Sequence, residues 1–155
     1  AFDINLAFCY QYRNNDIIDY KAYTVMRYLG HSVSDYIDNN PPTAARFDLA
    51  AKMAFQVHKY HSGMASKTSQ KYAHGDIKDS NFTIDEKGLV SLVDVDMVTK
   101  GIEDKPSVIG THVFLPKDPY NTSKKKLDCL ALKRAFYYPE QALHYVNSAK
   151  EKNRA

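Results

Sequence analysis

The chain has 155 residues, 44% of them hydrophobic and 12% aromatic, which suits one globular domain and excludes an intrinsically disordered chain. Its 21 Lys or Arg and 18 Asp or Glu give a net charge of +3, which is too small to indicate nucleic-acid binding by itself. No stretch approaches the roughly 18 consecutive apolar residues of a membrane-spanning helix.

The chain begins Ala1-Phe2-Asp3-Ile4, without an initiator Met and without the basic region and apolar run of a signal peptide. We therefore expect that the N-terminus has been removed or that the chain is a piece of a longer protein. Two strands are predicted first, over residues 4–12 and 22–28, where Ile, Val, Tyr and Phe are frequent. A turn at Asn14-Asn15-Asp16 lies between them.

Cys9 and Cys129 stand far apart in the chain, each among apolar residues. This placement predicts buried free thiols in a reducing compartment rather than a disulfide. The expected location is the cytoplasm, or the host cytosol if the protein is a secreted effector.

A short helix is predicted from Ser32 to Asp38, and a longer one from Thr43 to about His61. In the longer helix, apolar residues recur at spacings that place them on one face, which we expect to be buried. They are Phe47, Ala50, Ala54 and Val57. His58 and His61 lie three positions apart with no third ligand in view, so we expect surface or core histidines rather than a metal site.

Two short apolar runs, Phe82 to Ile84 and Leu89 to Val93, predict a hairpin around a Gly-containing turn. No period is visible from Asp94 to about Pro116, and a loop of this length in a compact domain is usually functional. Helices are predicted from about Ser123 to Tyr138 and again after Pro139.

Positive charge is concentrated near the end of the chain. From Lys117 onward there are nine Lys or Arg and four Asp or Glu, and the run Lys124-Lys125-Lys126 is the densest part. Two interpretations stay open: a solvated start of a helix, or a surface that binds an acidic partner.

The segment from His74 to Asn81, together with Asp94, is the most informative part of the chain. Asp76, Asn81 and Asp94 carry oxygen atoms of the kind that Mg²⁺ takes as ligands, usually together with substrate phosphates. In extended backbone, alternate residues project to the same side, so Lys78 can meet a phosphate near Asp76. One acid, one cation and two metal ligands indicate phosphoryl transfer, which needs positioning and charge neutralisation.

His74 to Asn81 resembles the catalytic loop H-R-D-x-K-x-x-N of the protein kinases, with Gly75 in place of Arg. Asp94-Val95-Asp96 resembles the metal-binding D-F-G with two substitutions. The spacings agree with the family: five residues from Asp76 to Asn81 and thirteen from Asn81 to Asp94.

Further along the chain, Gly110-Thr111 is similar to the G-T near the end of the kinase activation segment, and Leu115-Pro116-Lys117 to a degraded A-P-E. Asp128 is similar to the Asp of the family's central buried helix. Upstream, Tyr23 to Leu29 resembles the last N-lobe strand and the hinge. Lys78, Gly110-Thr111 and Asp128 favour the serine/threonine branch over the tyrosine kinases.

The resemblance implies a mainly α fold with a small β part (α+β): a helical kinase C-lobe with a catalytic-loop hairpin and most of the N-lobe absent. Residues 1–29 would be remnant N-lobe strands and the hinge, and residues 30–155 the C-lobe. Only some 20 residues precede the hinge, and the chain has no G-x-G-x-x-G and no strand Lys paired with a helix Glu. We therefore expect this fragment alone to be inactive and the full-length protein to be an enzyme.

The implied cofactors are ATP and Mg²⁺, with Mn²⁺ as the other metal. Asp76 would accept the proton of the substrate hydroxyl, and Lys78 would steady the transferring phosphate. Asn81 and Asp94 would bind the metal, while Thr111 would hydrogen-bond toward Asp76 and Lys78.

Other positions have supporting roles under the same resemblance. The nucleotide would contact the hinge at Met26, Tyr28 and Leu29, with Met26 as the gatekeeper. His74 and Asp128 would be structural supports.

Three departures from the family pattern bear on activity. Gly75 removes the Arg that usually pairs with a phosphorylated activation loop, so control by loop phosphorylation is not expected. Asp96 stands where the family has Gly, and its carboxylate would either repel the nucleotide or bind a second metal ion. Lys117 replaces the Glu of A-P-E and removes a structural ion pair.

Three functions stay open. The first is a divergent serine/threonine protein kinase, reduced like the minimal kinases of bacterial effectors and viruses, with a protein substrate or a regulatory protein as its partner. The second is a pseudokinase, a binding module that uses the C-lobe surface. The third is a small-molecule phosphotransferase of the aminoglycoside or choline type, because His-Gly-Asp also occurs in those enzymes.

Overall fold

The structure is a computed structural model that describes residues 5–14 and 16–137. The helix predicted after Pro139 and the last residue of the helix predicted to Tyr138 lie outside the described residues. The described part is a small α+β fold. Its elements are β1 Asn5–Arg13, β2 Asp16–Val25, β3 His31–Ser32, α1 Val33–Asp38, α2 Thr43–Ser62, β4 Phe82–Ile84, β5 Val90–Leu92 and α3 Lys124–Tyr137.

The first two strands form an antiparallel hairpin in which Arg13 pairs with Asp16. Asn14 follows β1 with a φ of +51°, a left-handed conformation that Asn tolerates. The boundaries of the second strand differ from the prediction of 22–28, because β2 begins at Asp16 and ends at Val25. Pairing with β1 sets these limits, whereas the prediction used only the local frequency of β-branched and aromatic residues.

A second sheet has the order β3-β4-β5, with both pairs antiparallel. Its β4–β5 hairpin was predicted and is confirmed, with Phe82 opposite Leu92 and Ile84 opposite Val90. Asp85 Oδ1 stabilises the turn by accepting hydrogen bonds from the backbone amides of Lys87 and Leu89. This hairpin directly follows the segment from His74 to Asn81 and so fixes the end of that segment.

Helix α2 has almost the predicted length, but its buried face only partly matches the predicted one. Val57 is buried as expected, whereas Ala54 is exposed and Phe47 is 66% exposed, so the prediction is wrong at those two positions. The helix carries two apolar stripes, and local periodicity does not say which one meets the core. The buried residues recur every four positions: Leu49, Met53, Val57 and His61.

One core joins α1, α2, the β4–β5 hairpin and α3. The long segment that was predicted as a loop also reaches it, because residues 112–114 form a short 3₁₀ helix whose Phe114 is only 1% exposed. Burying a Phe side chain is worth about 1.5–3 kcal/mol, so this residue anchors the segment. The core consists of Val33, Leu49, Met53, Val57, Ile77, Phe82, Val90, Leu92, Phe114, Ala131 and Ala135.

The prediction of buried thiols is wrong for Cys129, which is exposed on α3. The side chain of Cys9 lies outside the described residues. Within the part of the chain that the structure describes, no helix is both long enough and apolar enough to cross a membrane.

Candidate active site

The loop that begins at His74 is held in place by one buried carboxylate from α3. Asp128 Oδ2 accepts a hydrogen bond of 2.7 Å from the backbone amide of His74, and Oδ1 accepts one of 2.9 Å from Gly75. Asp128 is 2% exposed, and each bond ends on a charged acceptor, which makes it stronger than a neutral one. The side chain therefore fixes the backbone immediately before Asp76.

A histidine from α2 is the third hydrogen-bonding partner of Asp128. His61 Nε2 lies 2.9 Å from Asp128 Oδ2, and both side chains are buried. Burial by itself would lower the pKa of His61, but the hydrogen bonds and charges of Asp128 and Cys129 raise it to about 9. His61 is therefore an imidazolium near neutral pH and forms a buried ion pair with Asp128.

Sequence reasoning treated His61 as an ordinary surface or core histidine and missed this pair. A signal was nevertheless present, because His61 continues the four-residue spacing of Leu49, Met53 and Val57. A histidine on a buried stripe needs a hydrogen-bond partner. The partner itself, 67 positions away, could not be read from that spacing.

Asp76 lies at the centre of a compact hydrogen-bonded cluster. Its Oδ1 accepts bonds from the Thr111 backbone amide at 2.8 Å and from the Thr111 hydroxyl at 2.6 Å. Its Oδ2 lies 3.2 Å from Lys78 Nζ and 3.2 Å from Asn81 Nδ2. Lys78 Nζ also donates to Thr111 Oγ1 at 3.2 Å.

The cluster keeps Asp76 ionised. Burial opposes ionisation, but the two Thr111 hydrogen bonds and the Lys78 ammonium outweigh it and hold the pKa of Asp76 below its ordinary value. The result is a partly buried carboxylate that is charged at neutral pH and fixed in orientation. Such a group can accept a hydrogen bond from a substrate hydroxyl.

Gly110 allows the segment before Thr111 to approach Asp76. A Cβ at this position would lie 2.2 Å from the Gly75 carbonyl oxygen and 2.8 Å from Asp76 Oδ1. Atoms do not approach that closely, so any side chain at Gly110 would push the segment away from Asp76. The pair Gly110-Thr111 therefore acts as a unit, with one residue permitting the approach and the other making the bonds.

The two candidate metal ligands lie on adjoining pieces of backbone. The amide of Val93 donates to the Asn81 carbonyl oxygen at 2.9 Å, and Asp94 follows directly. Asp94 is exposed and has a φ of +62°, a left-handed conformation that costs a non-Gly residue on the order of 1 kcal/mol and is frequent at functional sites. Asn81 is buried, and its amide nitrogen donates to Asp76.

The donor set fits Mg²⁺ bound together with phosphates. The amide oxygen of Asn81 and the carboxylate of Asp94 are hard oxygen ligands. Among the described residues, no group of three or more His, Cys, Asp or Glu could hold a metal ion. Mg²⁺ commonly binds through one or two protein groups with phosphate and water completing its shell, so two protein ligands suit that role.

His74 connects the loop of residues 74–81 to the strand end that precedes Asp94. Its Nε2 lies 3.0 Å from the Val93 carbonyl oxygen, and its Nδ1 accepts a hydrogen bond of 3.4 Å from the Asp76 amide. Burial lowers the pKa of His74, so the neutral imidazole that these contacts require is present at neutral pH. The residue is fully buried, so its side chain is not open to solvent.

The residues predicted to form a hinge lie apart from this cluster. Tyr28 and Leu29 line a separate cavity of about 410 Å³ beside the β4–β5 turn, whereas Met26 does not line it. The cavity at Asp76, of about 140 Å³, is lined by none of the three. Their predicted contact with a nucleotide remains a prediction.

The basic run at the start of α3 is partly engaged within the chain. Lys124 Nζ donates to the Lys100 carbonyl oxygen at 2.9 Å, and Lys125 Nζ lies 3.5 Å from Glu103 Oε1. The first turn of α3 has no acidic residue. An acidic partner for this run remains a prediction.

Comparison with known proteins supports a kinase-like fold. No protein-family model matches the sequence, and neither does any curated protein sequence. The structure is similar to that of the Cydia pomonella granulovirus kinase PK-1, with a TM-score of 0.61 and 16% sequence identity over 90% of this chain. The match covers 48% of the viral kinase, so the chain spans about half of that protein's length.

Proposed function

We propose that the protein transfers the γ-phosphoryl group of Mg-ATP to Ser or Thr hydroxyls of a protein substrate. The observation that carries this proposal is the hydrogen-bonded cluster of Asp76, Lys78, Asn81 and Thr111. It combines an ionised acid with a cation and an amide. Asp128 fixes the backbone of His74 and Gly75, which directly precedes Asp76. The kinase-like fold supports the same activity.

Each residue has a role in this proposal that follows from its chemistry. Asp76 orients the acceptor hydroxyl and takes its proton as the acceptor oxygen bonds to the γ-phosphorus, while the bond from that phosphorus to the β-phosphate oxygen breaks and ADP leaves. Lys78 Nζ lies 3.2 Å from the Asp76 carboxylate. A phosphate that reacts beside Asp76 is therefore within reach of this ammonium, which neutralises part of its negative charge. Asn81 and Asp94 would hold Mg²⁺, which supplies further charge neutralisation on the nucleotide phosphates.

The domain assignment belongs to the same proposal. Residues 30–155 correspond to a kinase C-lobe and residues 1–29 to a hinge with remnant N-lobe strands, with Met26, Tyr28 and Leu29 facing the nucleotide. A kinase N-lobe would then be needed to complete the nucleotide cleft. The activity test therefore uses the longest form of the protein that contains this chain.

The experiment measures phosphate transfer from γ-labelled ATP to a mixture of protein substrates. Asp76→Asn removes the proton acceptor and should lower the rate by about 100-fold or more. Asp94→Asn should raise the Mg²⁺ concentration needed for half-maximal rate. Asp48→Asn, at an exposed position of α2 that lines neither cavity, is the matched control and should leave the rate unchanged.

Two outcomes would contradict the proposal. If Asp76→Asn and Asp94→Asn transfer phosphate at the wild-type rate, the cluster is not the active site. If the wild type transfers phosphate to an aminoglycoside or to choline but to no protein, the substrate class is wrong and the small-molecule alternative replaces it.

A binding module without catalysis is the second candidate. The observation that favours it is Asp96, whose exposed carboxylate stands two residues after Asp94 and adds negative charge where nucleotide phosphates would lie. A thermal shift with Mg-ATP separates the two, because a ligand at 100 times its Kd should stabilise the fold by about 2.7 kcal/mol. A metal-dependent shift contradicts the binding module, and no shift in the longest form favours it.

A further inference from the structure

The segment that carries Thr111 continues into a short 3₁₀ turn. The amide of Phe114 donates to the Thr111 carbonyl oxygen at 3.1 Å, and the amide of Leu115 donates to the His112 carbonyl oxygen at 3.1 Å. Phe114 is buried in the core, and Leu115 is 8% exposed. The position of Thr111 therefore depends on how residues 112–115 are held.

One guanidinium group from α3 holds this turn. Arg134 Nη1 donates to the Val113 carbonyl oxygen at 3.1 Å and also to the Leu115 carbonyl oxygen. Two donors on one planar group can serve two carbonyls at once, which a flexible ammonium does less well. Neither carbonyl is bonded within the turn, since the turn uses those of Thr111 and His112.

Helix α3 thus supports both sides of the candidate active site. Asp128 holds the backbone that precedes Asp76, and Arg134, six positions further along the same helix, holds the turn that follows Thr111. The two sides meet where Thr111 donates two hydrogen bonds to Asp76 Oδ1. This support does not involve position 117, where the chain carries an exposed Lys.

We propose that Arg134 is a positioning residue: it fixes the turn of residues 112–115 so that Thr111 is held against Asp76. The anchoring is a statement about the fold, and its effect on phosphoryl transfer rests on the proposed function. The contact lies wholly within the chain, so the segment is held without phosphorylation of a loop residue.

The anchoring is tested by amide hydrogen exchange on the complete chain. In Arg134→Met, the hydrogen-bonded amides of Thr111, Phe114 and Leu115 should exchange at least about tenfold faster, because loss of hydrogen bonds from a charged donor shifts a local opening equilibrium by that factor. Amides of α2 and of the β4–β5 hairpin should not change. Lys133→Met, which removes the same charge from the exposed neighbouring position, is the control and should exchange as the wild type does.

A second variant keeps the test decisive if Arg134→Met fails to fold. Arg134→Lys retains the charge and most of the stem but not the planar donor group, so the amides of Thr111, Phe114 and Leu115 should still exchange faster than in Lys133→Met. If these amides exchange at the wild-type rate in Arg134→Met, or in Arg134→Lys where Arg134→Met does not fold, Arg134 does not anchor the segment and the proposal fails.

The catalytic part is tested by steady-state kinetics on the same variants. Arg134→Met should lower kcat by about tenfold with KM for ATP unchanged, and Arg134→Lys should recover part of kcat. A fall in rate that only matches the loss of folded protein would overturn the positioning role. If the wild type transfers no phosphate, the proposed function fails, while the exchange result still decides whether Arg134 anchors the segment.

Discussion

The hydroxyl of Thr111 donates a 2.6 Å hydrogen bond to Oδ1 of Asp76, across 35 positions of sequence. The Thr111 amide donates to the same oxygen, so one carboxylate oxygen is saturated by a single residue. Asp76 Oδ2 is the oxygen closer to Lys78 and Asn81. This division fixes the orientation of the carboxylate and explains why its pKa is low despite partial burial.

Replacing Thr111 with Val removes the hydroxyl while keeping the shape of the side chain. The hydrogen bond to a charged acceptor is worth about 1.5–3 kcal/mol, so we expect kcat for phosphate transfer to fall by about 10- to 100-fold. Thr111→Ser keeps the hydroxyl and should retain most of kcat. Equal rates in Thr111→Val and the wild type would show that the hydroxyl does not orient Asp76.

Replacing Gly110 with Ala should move the segment that carries Thr111 away from Asp76. The new Cβ would meet the Gly75 carbonyl oxygen at 2.2 Å and Asp76 Oδ1 at 2.8 Å, so the segment must move outward. We expect the Thr111 amide to lose its protection from hydrogen exchange and phosphate transfer to fall by at least about tenfold. Gly88→Ala, where the new Cβ would meet nothing nearer than Lys52 Nζ at 3.4 Å, is the control and should change neither quantity. Unchanged protection in Gly110→Ala would contradict the close approach.

Replacing Asp128 with Asn should destabilise the whole fold. The buried carboxylate accepts bonds from His74, Gly75 and His61, and an Asn would place an NH₂ group against at least one of these donors. Removing one member of a buried ion pair costs about 3–5 kcal/mol, and urea unfolding should show a loss of that size. The control is Asp48→Asn, which breaks an exposed pair with Lys52 and should cost about 0.5 kcal/mol or less. Equal losses in the two variants would refute the role of Asp128.

The His61–Asp128 pair should make stability depend on pH in the alkaline range. The pKa of His61 is raised to about 9 in the folded state and returns to about 6.5 on unfolding. The folded state therefore binds the proton more tightly, and this contribution is complete below pH 6.5 and is lost as the pH rises through about 9. The full contribution is on the order of 3 kcal/mol.

The measurement is the free energy of unfolding in urea at intervals from pH 6 to pH 10. Other groups also titrate in this range, so the quantity of interest is the difference between the wild type and His61→Gln. That difference should shrink steadily between about pH 6.5 and pH 9. A difference that stays constant across the range would show that His61 is not protonated in the folded state.

Local features of this fold were predictable from the sequence. The β4–β5 hairpin is confirmed because apolar runs on either side of a Gly-containing turn pair with their nearest neighbour. Helix α2 is nearly as predicted because its length and its end at Gly63, with a φ of +86°, depend on short-range preferences. The prediction of its buried face was wrong at Phe47 and Ala54 because two apolar stripes compete for the core, and the packing of α3 and the hairpin selects one.

The sequence by itself determined which chemical groups are present and the spacing of those that lie within one loop. Asp76, Lys78 and Asn81 are close in the chain, so a single turn of backbone brings them together. Only the tertiary structure decided what surrounds Asp76 and what supports it. The motif resemblance suggests Thr111 and Asp128 for these roles, but it points to neither His61 nor Arg134. These contacts span 19 to 67 positions and are made where α3 packs on α2 and on the loop. Such contacts depend on the packing of whole elements, which no local period in the sequence specifies.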